Sequence, residues 1–191
     1  MLPLTPRLGI ALTVAPALLT GVVVACDALI PLAKPNIPLT AMLDEPAHLA
    51  TSALVLTTFA PASSWGLLPG TIALASSVLI DVDHVPLYLG LTAVAPSGRP
   101  VTHSAVAPLA LMTLAALLPR PARRAVRSAA LGVGLHLIRD LATGPGVSLF
   151  WPLDARSVLL PYSWYAGAVA LLGATGTIRL ALRSSGWRRR Q

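Results

Sequence analysis

The chain has 191 residues, of which 55% are hydrophobic and only 11% are charged, and its formal net charge is +7. Because soluble domains are about a quarter charged, this composition predicts an integral membrane protein and excludes an ordinary soluble domain. The arginines lie beside apolar segments without interleaved aromatic residues. We therefore attribute the positive charge to membrane topology and predict no nucleic-acid binding. The single cysteine, Cys26, excludes an intrachain disulfide and a cysteine-based zinc site.

The apolar segments predict an all-α fold with five or six transmembrane helices, since one span needs about 20 apolar residues. The first segment covers 8–30 and is predicted to break at Pro16. The second to sixth segments are 47–61, 66–80, 102–118, 126–141 and 162–182. The second and third of these six are short enough to form a tilted or re-entrant pair. A sharp turn is expected at Thr143-Gly144-Pro145-Gly146, between the last two segments.

We expect a single transmembrane domain over residues 1–191, made of three parts. An extra N-terminal span and an outer loop occupy 1–40, and a core that holds the polar clusters occupies 47–153. The last span and a basic cytoplasmic tail occupy 161–191.

Basic residues are distributed unequally between the two predicted sides of the membrane. With six spans and the amino terminus inside, ten of the fourteen lie on the cytoplasmic side and four lie outside. The positive-inside rule favours this orientation over its mirror image. The predicted cytoplasmic residues are Arg7, Arg120, Arg123, Arg124, Arg127, Arg179, Arg183, Arg188, Arg189 and Arg190. The predicted outer residues are Lys34, Arg99, Arg139 and Arg156.

The first span has two interpretations. Val23-Val24-Ala25-Cys26 resembles a lipoprotein cleavage site, which would leave a lipidated Cys26 at the outer surface. The alternative, which we favour, is a buried cysteine in an uncleaved helix. Both interpretations leave the rest of the predicted topology unchanged.

Histidines and carboxylates gather at those ends of the apolar segments that face outward in this orientation. His48 is predicted to open the second span and His103 the fourth, whereas 81–84 close the third and 136–140 close the fifth. The clusters are Asp44-Glu45-Pro46-Ala47-His48, Asp81-Val82-Asp83-His84, Arg99-Pro100-Val101-Thr102-His103-Ser104 and His136-Leu137-Ile138-Arg139-Asp140. The charge count does not require this coincidence, so we interpret the clusters as parts of one site near the outer interface.

The spacing within the clusters suits a divalent cation. On a helix, His136 and Asp140 are four residues apart and Asp81 and His84 are three apart, so each pair points to one side. Adjacent imidazole and carboxylate groups bind zinc or manganese, and ionisable residues near membrane depth are usually functional. The predicted ligands are His48, Asp81, His84, His103, His136 and Asp140, enough for one or two ions, with Zn²⁺ favoured and Mn²⁺ the alternative.

Asp83, Arg99 and Arg139 are the candidate catalytic residues. Asp83, or alternatively Asp44 with Glu45, could act as a general base or orient an imidazole. The two arginines adjoin histidines, and a guanidinium can bind a phosphate through two hydrogen bonds. Simpler alternatives stay open: the histidines could be hydrogen-bonded helix-end residues, the aspartates could solvate a loop, and Arg139 could pair with a carboxylate of a neighbouring helix.

These motifs resemble those of the YdjM-like family, membrane-bound proteins described as LexA-regulated metal-dependent hydrolases. The resemblance runs from His48 to Leu153, a little over half of the chain. It includes the Asp-Val-Asp-His and Arg-Pro-Val-Thr-His-Ser strings and the stretch 134–147, followed by Trp-Pro-Leu. It implies a hydrolase-like core and polar signature positions at His48, Asp81, Asp83, His84, His103, His136 and Asp140.

Two positions depart from the family pattern. Gly98 stands where the family usually has a histidine, and Ile80 stands where it tends to have a proline. The first departure removes one possible ligand. The paired Asp-x-x-His and His-x-x-x-Asp spacings are also similar to those of zinc-dependent phospholipases C, which directs the expected chemistry toward phosphoesters.

We therefore predict a membrane-bound metal-dependent hydrolase of the inner cell membrane, with both termini cytoplasmic and the site facing the extracytoplasmic side. Its predicted reaction is hydrolysis of an ester, preferably a phosphoester, in a lipid or lipid-linked substrate of the outer leaflet. One alternative is a metal-ion transporter or sensor, which the few polar residues in the cytoplasmic halves of the spans disfavour. The other is a non-catalytic membrane scaffold with a structural metal site.

Overall fold

Helices form nearly all of the regular structure in the described part of the chain. The structure, a computed structural model, describes residues 6–59, 67–91 and 95–188, with the backbone alone for 6–13 and 184–188. The side chains of Arg7 and of the predicted basic tail fall outside this description, as does the predicted end of the second segment at residue 61. Within the described residues, the one element of β structure is an isolated bridge between Val147 and Val158. The fold is therefore all-α, as predicted.

The first of two compact units comprises residues 1–62 and 166–191. It contains helices α1 (Pro6–Ala33) and α2 (Ile37–Phe59), which pack together, and most of α7 (Tyr162–Arg188). Helix α7 lies so close to α1 at Gly173 that an added Cβ would overlap the Thr20 hydroxyl. Glycine permits this close helix contact because it has no side chain.

Two details of the first unit differ from the sequence predictions. Helix α1 continues through Pro16, because the proline ring is fully buried against Gly176 and this packing compensates for the missing backbone N–H. The second helix begins at Ile37, where the Asn36 side chain accepts a hydrogen bond from the Leu39 N–H (2.9 Å) and caps the helix. His48 consequently lies in the middle of α2 and does not open it.

The second compact unit comprises residues 63–165. Helix α3 (Leu67–Leu79) continues into a 3₁₀ turn (Ile80–Asp83) and the short helix α4 (His84–Tyr88). Helices α5 (Val106–Leu117) and α6 (Arg120–Asp140) follow, and α6 packs against both α3 and α5.

The packing of α3 on α6 is tightest at one glycine. An added Cβ at Gly132 would overlap the carbonyl group of Ala73, so only glycine allows this separation of the two backbones. The contact fixes how the end of α3 approaches the last turns of α6, where the polar clusters lie.

Backbone hydrogen bonds join the loop before α5 to the loop after α6 and also close the loop after α6. The Ala105 N–H donates to the Leu149 carbonyl (2.9 Å), and the Leu160 N–H donates to the Leu141 carbonyl (2.6 Å). The turn after α6 contains Gly144 at φ 60° and Gly146 at φ 76°, which confirms the sharp turn expected there.

Three described stretches are long and apolar enough to cross a membrane by length and composition. They are Val14–Ala33, Leu67–Tyr88 and Tyr162–Arg183, and Val106–Leu117 is a shorter apolar helix. The protein is therefore an all-α membrane protein. The number of crossings, expected to be five or six, stays a prediction.

Candidate metal centre

The centre of the site is the turn that follows α3. Asp81 and His84 lie three residues apart across the 3₁₀ turn, and Asp81 Oδ1 is 3.2 Å from His84 Nδ1. Asp83 Oδ1 is 3.1 Å from the same nitrogen. Two carboxylates therefore face one imidazole within a single turn of chain.

His103 reaches this turn from the loop before α5. Its Nε2 is 2.9 Å from Asp81 Oδ1, and its Nδ1 is 3.4 Å from Asp83 Oδ2. The preceding residue, Thr102, donates a hydrogen bond from its hydroxyl to Asp83 Oδ2. Asp83 is thus held by Thr102, for which the sequence predicted no role of its own.

Helix α6 supplies the third part of the site from its last two turns. His136 Nε2 is 3.0 Å from Asp140 Oδ2 and 3.5 Å from Asp81 Oδ1. The other ring nitrogen, His136 Nδ1, is 2.9 Å from the carbonyl oxygen of Ser77 on α3. Because a carbonyl can only accept, Nδ1 must carry the hydrogen, and Nε2 is the nitrogen that faces the carboxylates.

Asp81 Oδ1 is the common point of these contacts. Three imidazoles, those of His84, His103 and His136, lie within 3.5 Å of this one oxygen. They come from three separate stretches of the sequence, so the second unit brings five of the six predicted ligands together, Asp140 being the fifth.

Arg99 connects Asp140 to the turn after α6. Its Nη2 is 2.9 Å from Asp140 Oδ1, and its Nε donates to the Gly146 carbonyl (3.1 Å). An added Cβ at Gly144 would lie 3.1 Å from Arg99 Nη2, so the glycine leaves room for the guanidinium. Asp140 is consequently held by Arg99 through one oxygen while its other oxygen faces His136.

Arg139 takes a different direction from its neighbour Asp140. Its side chain is buried, with 1% of the residue exposed, and Nη1 donates to the Tyr165 hydroxyl (3.2 Å). The guanidinium also lies 5.7 Å from the centre of the Tyr165 ring. The expected contact of Arg139 with a substrate stays a prediction.

His48 belongs to the first unit and is described there. Its Nε2 lies 3.7 Å from Asp44 Oδ2, one helical turn earlier on α2. Its role as a metal ligand stays a prediction.

Solvent exposure changes across the second-unit cluster. The side chains of His103, His136 and Asp140 are completely buried, whereas those of Asp81 and His84 are 16% exposed and that of Asp83 is 24% exposed. The site is therefore open on the side of the 3₁₀ turn and closed on the side of α6.

The charge state of His103 follows from its surroundings. Burial by itself lowers the pKa of this imidazole, but the hydrogen bonds with Asp81 and Asp83 and the nearby Asp140 charge outweigh it, so the pKa is raised. Away from the site, hydrogen bonds from Arg156 lower the pKa of the exposed Asp154.

The donor set fits a divalent cation. One ligand atom each from Asp81, Asp83, His84 and His103 lie within 4.8 Å of one another, and so do those of a second group, His103, His136 and Asp140. A neutral His136 directs the Nε2 lone pair at carboxylate oxygens, an unfavourable arrangement that a cation or a proton between them would relieve. The Ser77 carbonyl orients the ring in the way that outer hydrogen-bond partners orient metal-ligating histidines.

Four features of the site were missed by sequence reasoning. Ser77 acts through its backbone and Gly144 through its lack of a side chain, so neither has a chemical signature in the sequence. Tyr165 lies in the last apolar segment, where an aromatic residue is typical of a membrane interface and gives no sign of a contact with Arg139. Thr102 could have been found, since a hydroxyl next to a candidate ligand is a common partner of a carboxylate.

The fold and the cluster together define a class: an all-α membrane protein with buried histidines and aspartates that could hold a metal ion. The profile of the YdjM inner membrane protein family matches residues 42–190. The chain belongs to this family, as the resemblance had indicated. The match begins after α1 and includes all of the cluster.

Comparison with curated proteins and with solved structures finds no match.

Proposed function

We propose that this protein is a metal-dependent hydrolase that cleaves a phosphoester bond of a lipid or lipid-linked substrate within the membrane surface. The single observation that carries the proposal is the convergence of His84, His103 and His136 on Asp81 Oδ1. Three imidazoles and several carboxylates in so small a volume are the donor set of hydrolytic zinc and manganese sites.

In the proposed reaction, some residues of the protein would hold the metal ion and others would take part in the hydrolysis. His103, His136 and Asp140 are fully buried and form the fixed side of the site. Arg99 and the Ser77 carbonyl orient two of these ligands. A divalent cation bound there supplies Lewis acidity toward an ester oxygen and lowers the pKa of water.

Asp83 is the candidate general base. Its side chain is at the open edge of the site, where substrate and water enter, and 24% of it is exposed. Thr102 and the two neighbouring imidazoles hold the carboxylate in place. A carboxylate so placed can accept a proton from an attacking water molecule.

The position of the turn along its apolar stretch supports a lipid substrate. The stretch Leu67–Tyr88 has 22 residues, about 33 Å at 1.5 Å per residue, which is close to a hydrocarbon core of about 30 Å. Asp81 and His84 precede Tyr88 by seven and four residues, which places them about 6–10 Å inside that end. Val82 and Val85 beside them are 61% and 57% exposed, as expected for side chains in contact with lipid. The site would therefore lie just below the headgroup layer, where the head of a membrane lipid is closer to it than a water-soluble substrate would be.

The test uses full-length protein purified in detergent and assayed on phosphatidylcholine vesicles that contain phosphatidic acid. We expect elemental analysis to find one or two equivalents of zinc or manganese, and a chelator to abolish phosphate release until metal is restored. Asp140→Asn should lose both metal and activity, since it removes a buried anionic ligand. Asp83→Ala should retain metal better than it retains activity.

Asp154→Asn is the matched control, because it removes an exposed carboxylate that pairs with Arg156 away from the cluster. It should match the wild type in metal content and rate. Activity that survives both chelation and Asp140→Asn would end the hydrolase proposal. Metal whose removal unfolds the protein, without turnover of any ester, would instead support a structural centre.

A further inference from the structure

A groove on the surface of the second unit has no part in the proposed chemistry. It has a volume of ≈ 450 Å³ and runs along one face of α6, with Met112 of α5 opposite. This size lies within the range of about 300–1,000 Å³ that is usual for ligand sites. Its lining residues are Met112, Arg127, Ala130, Leu131, Gly134, Leu135 and Ile138.

The walls of the groove are apolar except at one end. Arg127 is the charged residue among the lining side chains, and Ile138 marks the other end. Gly134 forms part of the floor, and an added Cβ there would meet nothing within 4 Å, so the space directly above this glycine is open. Eleven residues of helix separate the two ends, about 17 Å, which is close to the thickness of one leaflet's hydrocarbon, about 15 Å.

The arginine at the end of the groove is part of a row. Arg120, Arg124 and Arg127 recur at spacings of four and three, so they share one face of α6. The same spacing continues through Leu131 and Gly134 into the groove. One helix face is therefore basic over its first two turns and apolar over the next three.

We infer that this face binds an anionic phospholipid, with one acyl chain in the groove and the phosphate beside Arg127 and Arg124. Along this helix face the arginines come first and the apolar surface follows, which matches a phospholipid, in which the charged phosphate is followed by the acyl chains. An apolar concavity on a membrane protein is filled by lipid chains or by another helix, and the arginines at its end favour the lipid. The inference does not depend on the proposed hydrolysis.

The test measures binding of phosphatidylglycerol and of phosphatidylcholine with identical chains to the detergent-purified, full-length protein by native mass spectrometry. We expect the wild type to prefer phosphatidylglycerol, and Arg127→Gln to weaken its binding about fivefold, the effect of one basic side chain near anionic lipid. Arg127→Lys should retain the preference. Arg183→Gln, an exposed arginine of α7 outside the groove, is the matched control and should change nothing.

A second variant tests the acyl-chain part of the inference. Gly134→Leu fills the open floor and should weaken both lipids alike, whereas Gly134→Ala should have little effect. Equal behaviour of Arg127→Gln and Arg183→Gln would overturn the inference, and so would unchanged lipid binding in Gly134→Leu. Disulfide-linked dimers of a Gly134→Cys variant in a Cys26→Ser background would show that a second copy occupies the groove, which also overturns it.

Discussion

At the scale of single residues, the orientation of the Asp140 carboxylate depends on Arg99. The guanidinium contacts Asp140 Oδ1 and the Gly146 carbonyl at the same time, a geometry that requires the forked donors of arginine. Lysine offers one ammonium group and cannot maintain both contacts. The positive charge alone is therefore insufficient to orient this ligand.

We predict that Arg99→Lys lowers metal affinity about 10–100-fold, the usual effect of losing an outer partner of a ligand. Competition titration with a zinc-binding dye measures it. Arg156→Lys, which changes an exposed arginine paired with Asp154, is the control and should leave affinity unchanged. Wild-type affinity in Arg99→Lys would mean that Asp140 does not need this partner.

We expect His103 to make metal binding depend on pH. Because the pKa of His103 is raised by its carboxylate neighbours, the imidazole of the metal-free protein keeps its proton to higher pH than a free histidine. A metal ligand must be deprotonated, so metal competes with this proton below the raised pKa.

Affinity should therefore rise with pH through the neutral range, by about tenfold per unit for each proton displaced, and level off above the raised pKa. The stability of the metal-free protein should change in the opposite direction. The ion pairs of protonated His103 stabilise the fold below the raised pKa, and this stabilisation is lost as the pH rises through it. Zinc titrations between about pH 5.5 and about pH 8.5 measure the slope. An affinity that is constant over this interval would show that His103 is not a ligand.

At the scale of helices, two glycines of α6 that are only two residues apart have completely different surroundings. Gly132 faces α3, where an added Cβ would overlap the Ala73 carbonyl, and Gly134 faces open space. Their comparison separates the cost of crowding from the intrinsic effect of replacing glycine by alanine.

We predict that Gly132→Ala destabilises the protein by about 1–3 kcal/mol, as overpacking does, and also weakens metal binding. The second effect follows because α3 carries the Ser77 carbonyl and the Asp81 turn that meet His136. Gly134→Ala should be neutral or slightly stabilising, because alanine favours helix more than glycine does. Thermal unfolding with and without zinc measures both effects, and equal melting temperatures for the two variants would contradict the close α3–α6 packing.

The helices could largely be predicted from the sequence, because apolar periodicity and length are local properties. The predicted segment 126–141 corresponds to α6, although arginines at 120–127 hid the first two turns of that helix. The start of α2 at Ile37 was missed because the cap by Asn36 was not recognised, and Pro46 and the acidic pair beside it resemble a loop. The continuous α1 depends on the burial of Pro16, a tertiary contact that no local pattern contains.

The candidate site could be predicted in its residue types but not in its connections. Histidines and aspartates are scarce in so apolar a chain, so their clusters are conspicuous. Arg99 and Arg139 looked equivalent in sequence, because each adjoins a histidine cluster. The structure distinguishes them: Arg139 extends to Tyr165 and Arg99 to Asp140, directions set by helix register and by a loop anchored on Gly146.

At the scale of the whole molecule, the arginines and the candidate metal ligands lie at opposite ends of the second unit. Helix α6 alone shows this, with arginines in its first two turns and His136 and Asp140 in its last two. Its 21 residues span about 32 Å, of which the arginine-bearing turns, about 12 Å, would lie in the headgroup layer and the rest, about 20 Å, in the hydrocarbon. If α6 enters the membrane in this way, the positive-inside rule places the arginine end on the cytoplasmic side and the candidate metal site toward the outer side.

Cysteine labelling of intact spheroplasts with a membrane-impermeant maleimide tests this orientation in a Cys26→Ser background. Asp154→Cys, in the exposed loop after α6, should react without permeabilisation, and Arg120→Cys should react only after it. Arg120 is exposed and 28% of the Asp154 side chain is exposed, so neither position is buried and a clear difference between them reports the side of the membrane. The reverse pattern would move the metal site to the cytoplasmic leaflet, and the substrate would then have to be a lipid of that leaflet. Labelling of both positions in intact spheroplasts would mean that α6 does not cross the membrane at all, and the positive-inside argument would no longer apply to this helix.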